Sequence, residues 1–349
     1  MRKYNFRFAE QILQDSREIR EKIVFSDGDD LRLVYALKKF LKINNSECIL
    51  LGNANVIQNN INEAKLGKNL NIKIIDPLRN KKNREYSELL EYSLKKRNKT
   101  VEKKLISRLI SNNSFYASLM LKAEDADCGI AGSISSTLQL MKAIINVLGV
   151  AEGRKYLSGA MIEEVPDCKY GINGIFLLSD VAIIPEPKEE QLLEIILSSY
   201  ETAKSFFRVE PKIGILSYST KGSAKSLAID KISKVIEKVK KINDKIMIDG
   251  ELQLDAAIIP KVSKQKSPES IIKGNANVLI FPCLDAANIG CKLIYRLAKA
   301  KVYGTIIQGA SKPFNDLSRG CSIDDIVMLS AMTLLQLNGM KKNINRVKL

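Results

Sequence analysis

The run Asn315-Asp316-Leu317-Ser318-Arg319-Gly320-Cys321-Ser322-Ile323-Asp324-Asp325 decides how this chain is read. It crowds hydroxyls, a guanidinium, a thiol and three carboxylates into eleven residues. An apolar, helix-periodic run over 326–337 follows at once, so Ser318-Arg319-Gly320 reads as a tight loop feeding a helix N-terminus. Such an end favours an anion, because its amides are unpaired and the helix dipole is positive there. Arg319 carries the planar fork that grips phosphate through two parallel hydrogen bonds. Asp325, one turn into the helix, is placed to take a proton. A plain structural reading stands beside this one. Ser322-Ile323-Asp324-Asp325 has the spacing of a capping box, with Ser322 as N-cap and a carboxylate three residues on.

Upstream, short apolar runs alternate with amphipathic segments. Strands are expected at 22–26, 48–51, 72–75 and 127–131, with helices at 31–43, 80–99, 101–122 and 138–148. A second set of strands starts at 158–163 and 175–184 and continues through 213–216, 245–248 and 276–281. Helices are expected among them at 189–207, 223–242 and 285–298. This alternation indicates α/β architecture with a parallel sheet. The length makes two domains the natural prior. Gly132-Ser133-Ile134-Ser135-Ser136-Thr137 is a small-residue turn from strand to helix, a type that suits phosphate where backbone amides approach it. The loop 217–226 is rich in Ser, Thr, Gly and Lys but lacks the spacing of a nucleotide-binding P-loop.

Composition excludes several classes of function. The chain has no histidine, which removes Ser-His-Asp and Cys-His catalysis and every imidazole metal site. Acid–base work falls to Asp, Glu, Lys, Tyr or Cys. The net charge of +16 is spread along the chain and mixed with acids, with no Trp and no aromatic stacking motif. That pattern points away from nucleic acid and toward a polyanionic metabolite. No apolar run reaches the roughly 18 residues of a membrane span. The basic start Met1-Arg2-Lys3-Tyr4-Asn5-Phe6-Arg7 lacks the apolar stretch of a signal peptide. The six cysteines are scattered without a CxxC, as in a reduced, cytoplasmic protein.

The stretch from Lys312 through Ser322 closely resembles the C-terminal signature of the phosphate acetyltransferase (phosphotransacetylase) family. Leu216-Ser217-Tyr218-Ser219-Thr220-Lys221-Gly222-Ser223-Ala224-Lys225-Ser226 agrees with it. So do Ile248-Asp249-Gly250-Glu251-Leu252-Gln253-Leu254-Asp255-Ala256-Ala257 and Val165-Pro166-Asp167-Cys168. The resemblance runs in register from about residue 20 to about 337. It implies two α/β domains with a cleft between them, in a fold like that of isocitrate and isopropylmalate dehydrogenases. The first domain would be discontinuous, 1–157 plus 299–349, and the second 158–298. It also implies a homodimer or larger assembly, and substrates CoA or acetyl-CoA, acetyl phosphate and phosphate.

The implied reaction needs no metal or redox cofactor, because the nucleophile is the thiol of coenzyme A, a substrate. The protein must supply a base, a phosphate clamp and oxyanion donors. By resemblance Asp325 is the base, Ser318 orients the thiol or stabilises developing charge, and Arg319 binds acetyl phosphate, with Lys312 and Asn315 assisting. A free Asp near about 3.9 and a thiol near about 8.5 make complete proton transfer uphill by roughly 6 kcal/mol. Transfer is therefore expected either to be concerted with attack or to use a carboxyl whose proton affinity is raised by burial. Cys168, Cys321 and Asn288 are expected as neighbours of the cleft.

The CoA end departs from the family pattern. Two family arginines that hold CoA phosphates correspond to Lys95 and Gln139, so Lys142, Lys96 or Arg97 would have to compensate, alongside Ser133 and Thr137 of the turn. A family histidine corresponds to Gly132, and Asp285 adds a carboxylate the family lacks. Two other functions remain open at this level: transfer of a longer acyl group such as butyryl, and a non-catalytic acetyl-CoA-sensing module.

Overall fold

A computed structural model describes residues 7–67, 70–99 and 101–347, with side chains through 342. The basic N-terminal stretch 1–6, read above for a targeting signal, lies outside the described residues. The chain opens with α1 (Arg7–Ser16), β1 (Lys22–Phe25), α2 (Leu31–Phe40), β2 (Glu47–Leu51), α3 (Ala54–Glu63) and β3 (Ile72–Ile75). Helices α4 (Asn83–Lys95), α5 (Lys103–Ile110) and α6 (Asn113–Lys122) follow, then β4 (Cys128–Ala131) and α7 (Thr137–Ala143), which runs on into a π-helical turn, Ile144–Leu148. A middle section carries β5 (Ser158–Glu164), β6 (Ile175–Ser179), α8 (Glu189–Phe206), β7 (Lys212–Leu216), α9 (Leu227–Ile242) and β8 (Met247–Leu252). It continues through α10 (Leu254–Ile258), α11 (Pro260–Lys266), β9 (Val278–Ile280), α12 (Leu284–Leu297) and β10 (Lys301–Gln308). The chain closes with β11 (Phe314–Asp316) and α13 (Ile323–Val347).

Two compact units result. One joins Gln11–Gly153 to Ala310–Leu349, and the other holds Arg154–Gly309 with the start of the chain through Glu10. The first contains a five-stranded sheet in the order β11-β4-β1-β2-β3, parallel throughout. Its central strands are apolar without alternation, as Ile23, Val24 and Phe25 show. All three are buried, as a sheet covered on both sides requires.

The second unit has six strands in the order β10-β5-β6-β9-β7-β8. Here the sheet is mixed, because β10–β5 and β5–β6 are antiparallel. The connection from β5 to β6 holds only residues 165–174, and a parallel return needs a longer crossover. The strand at 301–308 pairs along β5, so it belongs with the middle section and not, as expected, with the C-terminal helix.

One expected helix is two. The run 101–122 breaks because the Asn112 side chain accepts hydrogen bonds from the N–H groups of Ser114 and Phe115 and starts α6 afresh. Among the described residues, no helix is long and apolar enough to cross a membrane.

Candidate active site

In the first unit the chain passes from β1 outward to β2 and β3, then crosses back to β4 and β11 on the other side of β1. The order therefore reverses between β1 and β4. In open parallel sheets ligands gather at such a switch point, outside the carboxyl ends of the strands. Three loops leave those ends side by side: 26–30 after β1, 132–136 after β4, and 317–322 after β11.

The third loop is the quoted stretch. Ser318 opens a tight turn in which its carbonyl accepts from the Cys321 N–H at 2.9 Å and its Oγ accepts from the Gly320 N–H at 3.2 Å. Ser318, Arg319 and Gly320 are exposed, and the Arg319 guanidinium makes no hydrogen bond or ion pair among the described residues. Helix α13 then begins with the capping box that the spacing predicted. The Ser322 N–H and hydroxyl both donate to Asp325 Oδ2 at 2.8 Å, and the Asp325 N–H donates back to Ser322 Oγ at 3.2 Å. Asp325 Oδ1 has no partner among the described residues. The two sequence readings of Asp325 are thus compatible, since one oxygen caps the helix and the other stays open. Asp324 is turned aside in an exposed ion pair with Lys39 at 2.9 Å.

The loop after β4 departs from expectation. Its amides do not face outward for a ligand, because Asp27 already fills them. Asp27 Oδ2 accepts from the N–H groups of Gly132 at 2.8 Å, Ile134 at 3.1 Å and Ser135 at 3.4 Å, and from Ser135 Oγ at 3.1 Å. Ser133 is buried, with its hydroxyl 3.5 Å from the same carboxylate. Thr137 donates to Asp316 Oδ2 at 2.6 Å. Ser133 and Thr137 thus have partners within the fold, while Thr137 stays exposed. Asp316 is buried, its Oδ1 has no partner among the described residues, and its pKa is raised to about 6, chiefly by burial, with the nearby Asp27 charge adding to the rise.

Two residues assigned to acetyl phosphate also go elsewhere. Asn315 is fully buried and donates to Thr333 Oγ1 at 3.0 Å and Gln336 Oε1 at 2.8 Å, fastening β11 to α13. Alternation along a strand sends successive side chains to opposite faces, and Asn315 falls on the face that α13 covers. Lys312 precedes β11, and its ammonium lies 3.5 Å from the Ala126 carbonyl, on the lead-in to the parallel strand β4. That is the end of the sheet away from the Ser318 turn, with the strand rising about 3.3 Å per residue between them.

At the expected CoA end, Lys95 is exposed and pairs with Glu91 one turn back at 2.6 Å. Gln139 forms a second capping box, its Oε1 accepting from the Ser136 N–H at 3.3 Å and its own N–H donating to Ser136 Oγ at 3.3 Å. Lys96, Arg97 and Lys142 are exposed. Lys122 is half-buried near Lys96 and Arg97, and its pKa is lowered, first by burial and then by those two charges. Cys321 is buried beneath the turn, and burial pushes its thiol up.

In the other unit, Cys168 lies partly buried in the 165–174 loop and Asn288 is exposed on α12. Asp285 occupies the first turn of α12, where the helix dipole accommodates the carboxylate. The Ser/Thr/Gly/Lys loop is folded around the Asp249-Gly250-Glu251 stretch. Glu251 Oε1 accepts from the Gly222 N–H at 2.8 Å and Ser219 Oγ at 3.0 Å, and Lys221 pairs with Asp249.

Sequence reasoning passed over Arg32. Its guanidinium binds both oxygens of Asp30 and three carbonyls, those of Ser133, Arg319 and Cys321, so it ties all three loops together. The one available signal was its position, two residues past an acidic N-cap at the carboxyl end of an apolar strand.

A family model described as phosphate acetyl/butaryl transferase matches residues 7–334. The chain is 40% identical to a phosphate acetyltransferase of Thermoanaerobacterium thermosaccharolyticum, across 94% of this chain and 98% of the relative. A phosphotransacetylase structure from Streptococcus pyogenes superposes with a TM-score of 0.86 at 30% identity, covering 96% of this chain and 99% of the other. A Salmonella typhimurium structure described as a 4-hydroxythreonine-4-phosphate dehydrogenase shares the fold alone, with a TM-score of 0.52 at 9% identity over 91% of this chain and all of the other.

Proposed function

Because the chain belongs to the phosphate acetyl/butaryl transferase family, we propose that it transfers an acetyl group reversibly between acetyl phosphate and coenzyme A. The observation that carries this reading is the contrast at the signature turn. Among the described residues Arg319 presents a guanidinium with no protein partner, while Asp325 a few residues on keeps one carboxylate oxygen open. In the forward direction Asp325 Oδ1 takes the proton of the CoA thiol as the sulfur attacks the acetyl carbonyl. Ser318 and Arg319 donate to the oxygen that gathers charge, and the C–O bond to phosphate then breaks with the phosphate held by Arg319. The product is acetyl-CoA plus phosphate. The reverse reaction runs through the same intermediate, with phosphate attacking the thioester.

Transfer concerted with attack is the form that fits, since Asp325 is only half-buried and accepts two hydrogen bonds as a carboxylate. The reaction needs no metal or redox cofactor, because bond making and breaking involve only the two substrates and these side chains. The exposed cations Lys95, Lys96, Arg97 and Lys142 are the groups left to receive the CoA phosphates. A cytoplasmic location belongs to the same reading, supported by six cysteines that are all free. So does a homodimer or larger assembly, supported by the exposed apolar line Ile289, Leu293 and Leu297 on α12.

The test is thioester formation from CoA with acetyl phosphate and, separately, with butyryl phosphate, without added metal. Fast turnover with acetyl phosphate, and a rise of roughly 10- to 100-fold in KM for acetyl phosphate in Arg319→Ala, are expected. Faster turnover with butyryl phosphate would assign the longer acyl group. Silence with both, together with binding of acetyl-CoA, would make the protein a sensing module.

A further inference from the structure

We propose that Arg32 is a positioning residue for acetyl transfer, on the reading that the signature turn is the reacting site. A guanidinium has five N–H donors. In Arg32 all five are engaged: Nε to Asp30 Oδ1 at 3.1 Å, Nη2 to Asp30 Oδ2 at 2.8 Å and to the Ser133 carbonyl at 2.9 Å, and Nη1 to the carbonyls of Arg319 and Cys321 at 2.9 Å each. Arg32 therefore has no donor left for a phosphate, whereas the Arg319 guanidinium, whose own carbonyl Arg32 holds, has no partner among the described residues.

The two carbonyls gripped by Nη1 belong to peptide units with a second task. The N–H of the Arg319–Gly320 unit is the one that donates to Ser318 Oγ. The N–H of the Cys321–Ser322 unit is one of the two donors to Asp325 Oδ2. A peptide unit is planar and trans, so its C=O and N–H point in opposite directions and turn together. Holding the carbonyl fixes the direction of the amide on the other side. Arg32 thus orients, through two rigid peptides, both the hydroxyl and the carboxylate assigned to the chemistry. A cationic donor on each carbonyl also polarises the peptide and strengthens the bond its N–H makes. The bidentate partner Asp30, itself buried and capping α2, keeps the guanidinium plane from rotating.

The full-length protein is assayed for thioester formation as wild type, Arg32→Lys and Arg32→Ala. Lys39→Ala serves as a control that breaks the exposed Lys39–Asp324 pair between the same two helices. Lysine has a charge but cannot span three loops with one nitrogen. Arg32→Lys is expected to lower kcat roughly 10- to 100-fold while both KM values stay within about threefold, as for misplacement of reacting groups by a fraction of an ångström. Arg32→Ala is expected to lose more and to recover part of its kcat when millimolar guanidinium is added, and Lys39→Ala to keep wild-type kcat. Wild-type kcat in Arg32→Lys overturns the proposal, and so does an equal loss in Lys39→Ala, which would mark a loosened helix pair. A raised KM for acetyl phosphate with kcat unchanged also overturns it, because Arg32 would then be a substrate contact. A wild-type protein silent with both acyl phosphates overturns the functional reading itself, a different result from an active wild type indifferent to Arg32→Lys.

Discussion

Ser322 and Asp325 hold each other at the start of α13: Asp325 Oδ2 accepts from the Ser322 N–H and hydroxyl at 2.8 Å each, and Ser322 Oγ accepts from the Asp325 N–H at 3.2 Å. The same carboxylate is the proposed base, so its two tasks can be separated by substitution. Asp325→Asn keeps an oxygen for the cap and loses the base. It is expected to lower kcat by roughly 10²- to 10⁴-fold with little change in melting temperature. Asp325→Ala should lose activity similarly and also about 1 kcal/mol of stability. Steady-state kinetics beside thermal denaturation checks both, and wild-type kcat in the Asn variant would remove Asp325 as the base.

Gln139, expected by resemblance at the CoA end, closes a capping box with Ser136. Gln139→Arg is expected to lower the KM for CoA several-fold by adding a charge. It should also cost about 0.5–1 kcal/mol, because the reciprocal bond to the N-cap amide is lost. An unchanged KM would assign the CoA phosphates to Lys96, Arg97 or Lys142.

Gly132 is confined from two sides. Its φ is +99°, and an added Cβ would lie 2.2 Å from Asp316 Oδ1 and 2.3 Å from the Leu317 carbonyl. A side chain at this position has no room in the turn as it runs here. Gly132→Ala is expected to destabilise the first unit by roughly 3 kcal/mol or more. A melting temperature within a degree of wild type would show that the turn relaxes freely.

Glu163 on β5 is buried beside the Cys291 thiol, which donates to it, and burial raises its pKa to about 8. The folded state therefore holds this proton more tightly than the unfolded chain, where a glutamate titrates near its ordinary 4.5. The stability that comes from protonation is complete below that value and is lost as pH rises through about 8. Melting temperature should fall between mildly acidic and mildly alkaline pH, and Glu163→Gln should flatten that fall. An identical slope in the variant would place the titrating group elsewhere.

How much was legible follows from the range of each interaction. The capping box at Ser322 and Asp325 was readable because its partners are three residues apart, and a helix start obeys local rules. The α/β class was readable from the spacing of apolar runs, and the family signature contains the turn at Ser318 on which the proposed chemistry rests. Lys312 and Asn315 belong to that signature too, yet one lies toward the far end of the sheet and the other is buried against Thr333 and Gln336. Which end and which face of a strand a residue occupies is set by its partners in the sheet, and no local pattern records that.

The sequence by itself determined the class of fold, the helix starts, the absence of imidazole chemistry and the turn that carries Ser318, Arg319 and Asp325. Only the tertiary structure decided that Asp27 fills the amides of the β4 turn and that Arg32 joins loops 101 and up to 289 residues away in the chain. Local preferences act over a few residues through backbone torsions and neighbouring hydrogen bonds. Buried polar groups must instead find partners wherever the fold brings them, and that choice exists only once the strands have taken their order.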